Sequence, residues 1–244
     1  MQLPLVDVFK TPYEVWSRRK LTMEEALQAI QRAGHPVFEA KDQMIARVTS
    51  PLEAARYLVR VAADNGIDDF VNDALGSEPL RAAWQAVMPA RTPSELSRYQ
   101  REYSKSDLAE VDGVINTVGV PLSPGQTLFH GGLWPANTDQ LVCTRPLSTT
   151  FCPQVALRNA EHRGKAYETN RLDLFVLQIQ TSRTKAFAFK RVGTQLGHEN
   201  EVVLAAGATL RLRSEELIRS DYRVSQWGAP DKQIPAYVLE VDCD

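Results

Sequence analysis

Cysteine is scarce in this chain. Cys143, Cys152 and Cys243 are widely spaced, with no Cys-x-x-Cys pair and no clustering with the four histidines. That excludes a disulfide framework and a structural zinc site of the usual spacing. Long apolar runs are missing too: the longest, 202–208, has seven residues and includes Gly207, far short of the ~20 needed to span a bilayer. The opening Met-Gln-Leu-Pro-Leu-Val-Asp has neither the basic nor the apolar segment of a secretory signal. Synthesis in a cytoplasm is therefore expected, with any delivery into a host or competitor cell by a route that needs no signal peptide. Charge of one sign is not in excess either, with 28 Lys plus Arg against 30 Asp plus Glu. Both halves are balanced, each carrying 14 basic and 15 acidic residues when the chain is divided after Asp107. A global basic field for nucleic acid is thereby excluded, and neither nucleic acid nor membrane is an expected partner.

What is present is an ordinary globular balance, 43% hydrophobic and 24% charged over 244 residues, enough to bury a core without covalent staples. The first 119 residues read as helical. Thr22 and Glu25 form a capping box ahead of Met23, Ala26, Leu27 and Ile30, and Gly34 ends that helix. Ser50-Pro51-Leu52-Glu53 opens a second helix toward Gly66, Thr92-Pro93-Ser94-Glu95 a third, and Ser106 to Val118 a fourth. After Pro124-Gly125 the pattern turns to short strands: 127–130, 172–180, 185–189, 201–204, 209–213 and 236–241, with one helix near 153–163. The expected fold class is α+β, a helical N-terminal lobe (1–91) followed by a mixed, mainly antiparallel β-sandwich core (92–244) with its preceding helices.

Three short motifs lie in the β half. Leu128-Phe129-His130-Gly131-Gly132 delivers a histidine into a glycine pair, where a ligand can approach the backbone closely or the strand can simply turn. Pro146-Leu147-Ser148-Thr149-Thr150-Phe151 brings three hydroxyls to a strand end, for helix capping or for a polar ligand. Glu199-Asn200-Glu201 precedes Val202-Val203-Leu204, and period-two geometry would put both carboxylates on one face if residue 199 is already extended. Paired carboxylates divide work between stabilising a cation and accepting a proton; a solvated strand edge is the plainer use.

In this order the motifs resemble the ADP-ribosyltransferases, especially their arginine-serine-glutamate branch of bacterial toxins and phage enzymes. The resemblance covers roughly 95–241, including the upstream stretch with Tyr99, Tyr103 and Ile115-Asn116. His130 stands where that branch has arginine and is similar to the His-Gly opening of the diphtheria-toxin and poly-ADP-ribose polymerase branch, whose second-motif tyrosine is missing here.

The resemblance implies a mono-ADP-ribosyltransferase, a pentosyl-transferring enzyme that uses NAD as substrate and no metal. Glu201, Glu199 and Ser148 are then the expected catalytic residues. His130, Gly131, Ser148, Thr149, Phe151 and Arg163 are the expected NAD-binding set, with Arg145 and Arg158 as further phosphate candidates and Phe151 or Tyr167 as the aromatic beside nicotinamide. Trp134 is expected in the core. In the related toxins Glu-x-Glu accompanies transfer to arginine, so a protein arginine is the implied acceptor, the helical lobe being available to an immunity or host partner. Modification of RNA, hydrolysis of NAD without an acceptor, and a non-catalytic binding module with a degenerate NAD site remain open alternatives.

Overall fold

The computed structural model describes residues 2–77, 79–181, 183–190 and 196–244. They form two compact units, one made of 9–50 and the other of 1–8 with 51–244. This division differs from the expected boundary near residue 91. The smaller unit holds an antiparallel pair, β1 (Tyr13–Lys20) and β2 (Glu39–Val48), around helix α1 (Met23–Ala33). Helix α1 starts at the expected capping box, Thr22 Oγ1 accepting from the Glu25 N–H while the Glu25 carboxylate accepts from the Thr22 N–H. Gly34, at φ 73°, closes it. The two strands fall within a stretch read as helical from its flanks. Their register shifts between Val15 and Trp16 and again before Arg18, so no clean alternation announces them.

In the larger unit the helices come first: α2 (Pro51–Val61), α3 (Asn65–Ser77), α4 (Pro79–Val87), α5 (Ser94–Arg101) and α6 (Leu108–Val118). Proline opens α2, where its missing N–H costs nothing, and Ala62 at φ 67° ends it. Asp107 caps α6 by accepting from the N–H groups of Ala109 and Glu110. Leu58, Ile67, Trp84, Leu96 and Ile115 from these five helices are fully buried.

The strands follow: β3 (Val120–Pro121), β4 (Thr127–Gly132), β5 (Gln140–Val142) and β6 (Leu147–Thr150), then helices α7 (Pro153–Glu161) and α8 (Lys165–Thr169). After them come β7 (Leu172–Ile179), β8 (Lys185–Ala188), β9 (Glu201–Leu204), β10 (Thr209–Val224) and β11 (Lys232–Cys243). They make one mixed sheet ordered β3-β8-β9-β6-β4-β7-β11-β10-β5. Only β7 and β11 run parallel; the other neighbours are antiparallel. The fold is α+β, with a mainly antiparallel sheet behind helices.

At the middle of the sheet β4 and β6 exchange a single register pair, Phe129↔Thr150. On its other edge β4 pairs with β7 through all six residues to Gly132, and β6 pairs with β9 back to Leu147. The two halves of the sheet therefore part beyond Phe129, between His130–Gly132 and 147–148. Gly131 explains how α7 packs there: a Cβ on it would lie 1.8 Å from the Ala156 carbonyl oxygen. The close approach this glycine permits is that of a helix backbone.

Candidate functional site

The parting of β4 and β6 gathers the second and third motifs with the first. Thr150 stands directly opposite Glu201 in the β6–β9 ladder, and Ser148, two residues back, shares its face. Ser148 Oγ donates to Glu201 Oε1 at 2.6 Å. From helix α5, Gln100 Nε2 donates to Glu201 Oε2 at 3.1 Å. Glu201 is 7% exposed. Burial pushes its carboxyl up to about 7, with the Glu199 charge acting in the same direction and the Ser148 and Gln100 hydrogen bonds opposing it. At neutral pH a substantial fraction of Glu201 is thus ionised, with a neutral donor on each oxygen.

Glu199 does not reach this place by strand alternation. It ends a one-turn 3-10 segment, Gly197–Glu199, and Asn200 follows in the left-handed region at φ 49°, which asparagine tolerates better than most residues. Asn200 Nδ2 donates to Asn72 Oδ1 on α3 at 2.9 Å, and Thr150 Oγ1 donates to the Glu199 carbonyl at 2.5 Å. The carboxylates are therefore brought near each other by a pinned turn. Desolvation raises the Glu199 carboxyl above its ordinary value, with His198 opposing.

His130 bridges the parting. Its Nδ1 lies 2.7 Å from the Ser148 carbonyl oxygen, which can only accept, so Nδ1 carries the proton and Nε2 the lone pair. Burial lowers the imidazole to about 4, with Lys165 and Arg145 adding repulsion and the Ser148 bond opposing. The ring packs against Phe175 at a centroid distance of 5.3 Å. Gly132 leaves room for it: a Cβ there would meet Nε2 at 2.8 Å. A neutral histidine presenting a lone pair suits a hydroxyl donor and cannot replace the donor fork of an arginine on phosphate.

Three cations lie nearby. Arg145 donates from Nη1 to the Tyr103 hydroxyl at 2.8 Å. Lys165 is held below its ordinary value by desolvation first, then by Arg145 and Arg163. None of the three forms an ion pair among the described residues. Tyr99, packed edge-on against Tyr103, is buried and feels the Glu201 charge.

Other residues singled out from sequence are committed elsewhere. Thr149 is buried and its hydroxyl donates to the Val202 carbonyl at 2.6 Å. Phe151 is 1% exposed, in the interior against Trp84 and Arg81. Both side chains are thus engaged within the protein. Arg158 is engaged by Asp68 and Asn65. Tyr167 donates to the Pro230 carbonyl, with Lys232 over its ring. Trp134 lies in the core, its N–H groups held by Asp173 and the Thr138 carbonyl. Sequence reading missed Gln100 and Lys165, neither of which stands in a recognisable motif. Among the described residues no group of three or more His, Cys, Asp or Glu is arranged to hold a metal, and no helix is long and apolar enough to cross a membrane.

No family model and no curated protein matches the sequence. Among solved structures, the chain is similar to the enzymatic component C2-I of the C2 toxin from Clostridium botulinum, at 8% identity and a TM-score of 0.40, over 66% of this chain and 45% of that one. It is also similar to the ADP-ribosylating toxin BECa of a binary enterotoxin of C. perfringens, solved with NADH, at 12% identity and a TM-score of 0.45, over 72% and 48%. A third is the ADP-ribosyltransferase Vis from Vibrio splendidus, at 16% identity and a TM-score of 0.35, over 93% and 88%. The similarity to each of the first two spans less than half of that protein's length.

Proposed function

We propose that the chain is an NAD-dependent mono-ADP-ribosyltransferase, with Glu201, Glu199 and Ser148 as its catalytic residues and a protein arginine as acceptor. The observation that carries the reading is the buried Glu201 carboxylate, held by Ser148 where β4 and β6 part, with His130 bonded to the backbone carbonyl of that same serine. These side chains belong to the three motifs that resemble the ADP-ribosyltransferases, and they converge from separate strands.

The residues suit the parts of NAD they would hold. Glu201 has an acceptor position left on each oxygen for a ribose hydroxyl. His130 Nε2 accepts from a hydroxyl of the adenosine-side ribose, a narrower role than phosphate binding. Arg145, Lys165 and Arg163, without carboxylate partners among the described residues, supply charge for the diphosphate. The Gly131 backbone is the proposed partner of the nicotinamide amide. In the reaction the nicotinamide–ribose C–N bond breaks and its electron pair leaves on nicotinamide. The ionised Glu201 stabilises positive charge growing on the ribose. An acceptor guanidinium nitrogen forms the new C–N bond and its proton passes to Glu199, whose raised affinity for protons fits a base. An effector or toxin acting on another cell's protein is the context this chemistry fits.

Incubation with labelled NAD and cell lysate, followed by mass spectrometry, tests the reading. The expected product is ADP-ribose on protein arginine together with free nicotinamide. Label on RNA, or nicotinamide release with no labelled macromolecule, would move the reading to another acceptor or to water, and no cleavage of NAD would leave a binding module.

A further inference from the structure

The Glu201 carboxylate is held at both ends by groups of very different origin. Ser148 lies on the neighbouring strand and occupies Oε1. Gln100 comes from α5, 101 residues away in sequence, and occupies Oε2. A single hydrogen bond leaves a glutamate carboxylate free to swing, because its last torsion is broad and soft. A second donor on the other oxygen, rooted in a different element, fixes the plane of the group.

We infer that Gln100 is a positioning residue for Glu201, its side-chain N–H fixing the carboxylate oxygen that Ser148 leaves free. The inference deepens the proposed reading, in which Glu201 must face a developing ribosyl cation in one orientation. The chemical type at position 100 matters. An arginine or lysine would close an ion pair with Glu201 and offset the negative charge the reaction needs. An acid would repel it or share its proton. A neutral amide donates while leaving the charge in place. Facing Glu201 are Ser148 from β6, Gln100 and Tyr99 from α5, and Glu199 from the preceding turn. Of these, the Ser148 and Gln100 donors favour the ionised form, while burial and Glu199 favour the neutral one.

The test titrates Glu201 itself in the free protein by carbon-13 NMR of labelled glutamate carboxyls, the signal assigned by its disappearance in Glu201→Gln. In Gln100→Ala the midpoint should rise by roughly one pH unit, the equivalent of one hydrogen bond to a charged group. In the near-isosteric Gln100→Glu it should rise further, and this variant carries the test if the alanine variant is poorly folded. The rising limb of nicotinamide release against pH should move by the same amount in each. An unmoved Glu201 midpoint, with activity lowered by one factor at every pH, would reduce Gln100 to a packing role and overturn the inference. A midpoint that moves in a protein that does not cleave NAD at all would uphold the positioning and reject the activity.

Discussion

At residue scale the proposed chemistry divides between two acids with different surroundings. Glu201 is buried and doubly hydrogen-bonded, whereas Glu199 is only partly desolvated and is offset by one left-handed residue. If only Glu201 faces the ribose, Glu199→Gln should keep nicotinamide release, with water as acceptor, and lose transfer to arginine, since an amide cannot take a guanidinium proton. Measuring released nicotinamide and labelled arginine in one reaction gives the ratio; equal loss of both would make Glu199 part of bond cleavage. His130 can be divided nitrogen by nitrogen. In His130→Asn the amide retains a donor near Nδ1 for the Ser148 carbonyl but offers nothing at the Nε2 position. NAD affinity measured by calorimetry should fall about tenfold, the value of one hydrogen bond, with little change in melting temperature. Unchanged affinity would return His130 to a purely structural bridge.

Elements explain why some of this was legible and some was not. The Thr22–Glu25 capping box, the proline-opened α2 and the strands β4, β7 and β9 carry their signals locally, within a few residues. The pair β1 and β2 escaped because bulges break its alternation. Helices α3 and α4 also went unread: α3 starts after a left-handed Ala62 and contains a glycine in its first turn, which hides its onset. Ser148 and Glu201 stood in motifs, but Gln100 acquires meaning only when α5 folds against β9, a contact that no local pattern announces. The glycine pair was legible as a need for space: helix α7 lies against Gly131 on its Cα side, while Gly132 accommodates the His130 ring. Gly131→Ala should accordingly destabilise the protein by ~1–3 kcal/mol or more, because the obstacle is backbone and the helix must move. Gly132→Ala meets only the end of a side chain and should cost less. Chemical denaturation of the two variants gives the order, and equal stabilities would refute this account of the motif.

For the whole molecule, the role proposed for Glu201 sets stability against activity. A Glu201 carboxyl that ionises near 4.5 when unfolded and at about 7 when folded keeps its proton in the native state over a range where the unfolded chain has lost it. Its contribution therefore declines as pH rises from 4.5 to 7 and then levels, by up to ~3 kcal/mol. The stability of Glu201→Gln relative to wild type should increase across that window by up to this amount, and denaturation at pH 5 and pH 8 measures it. In the proposed reaction the same acid must ionise to work, so wild-type kcat/KM should climb with pH through about 7. The most direct test is the rate of nicotinamide release from NAD at pH 8 by wild type and Glu201→Gln, both confirmed folded. Wild type should release nicotinamide and the variant should be slower by roughly a hundredfold to a thousandfold, the usual loss of one charge-stabilising contact; a variant that keeps most of the wild-type rate would contradict the assignment of Glu201 and the function built on it.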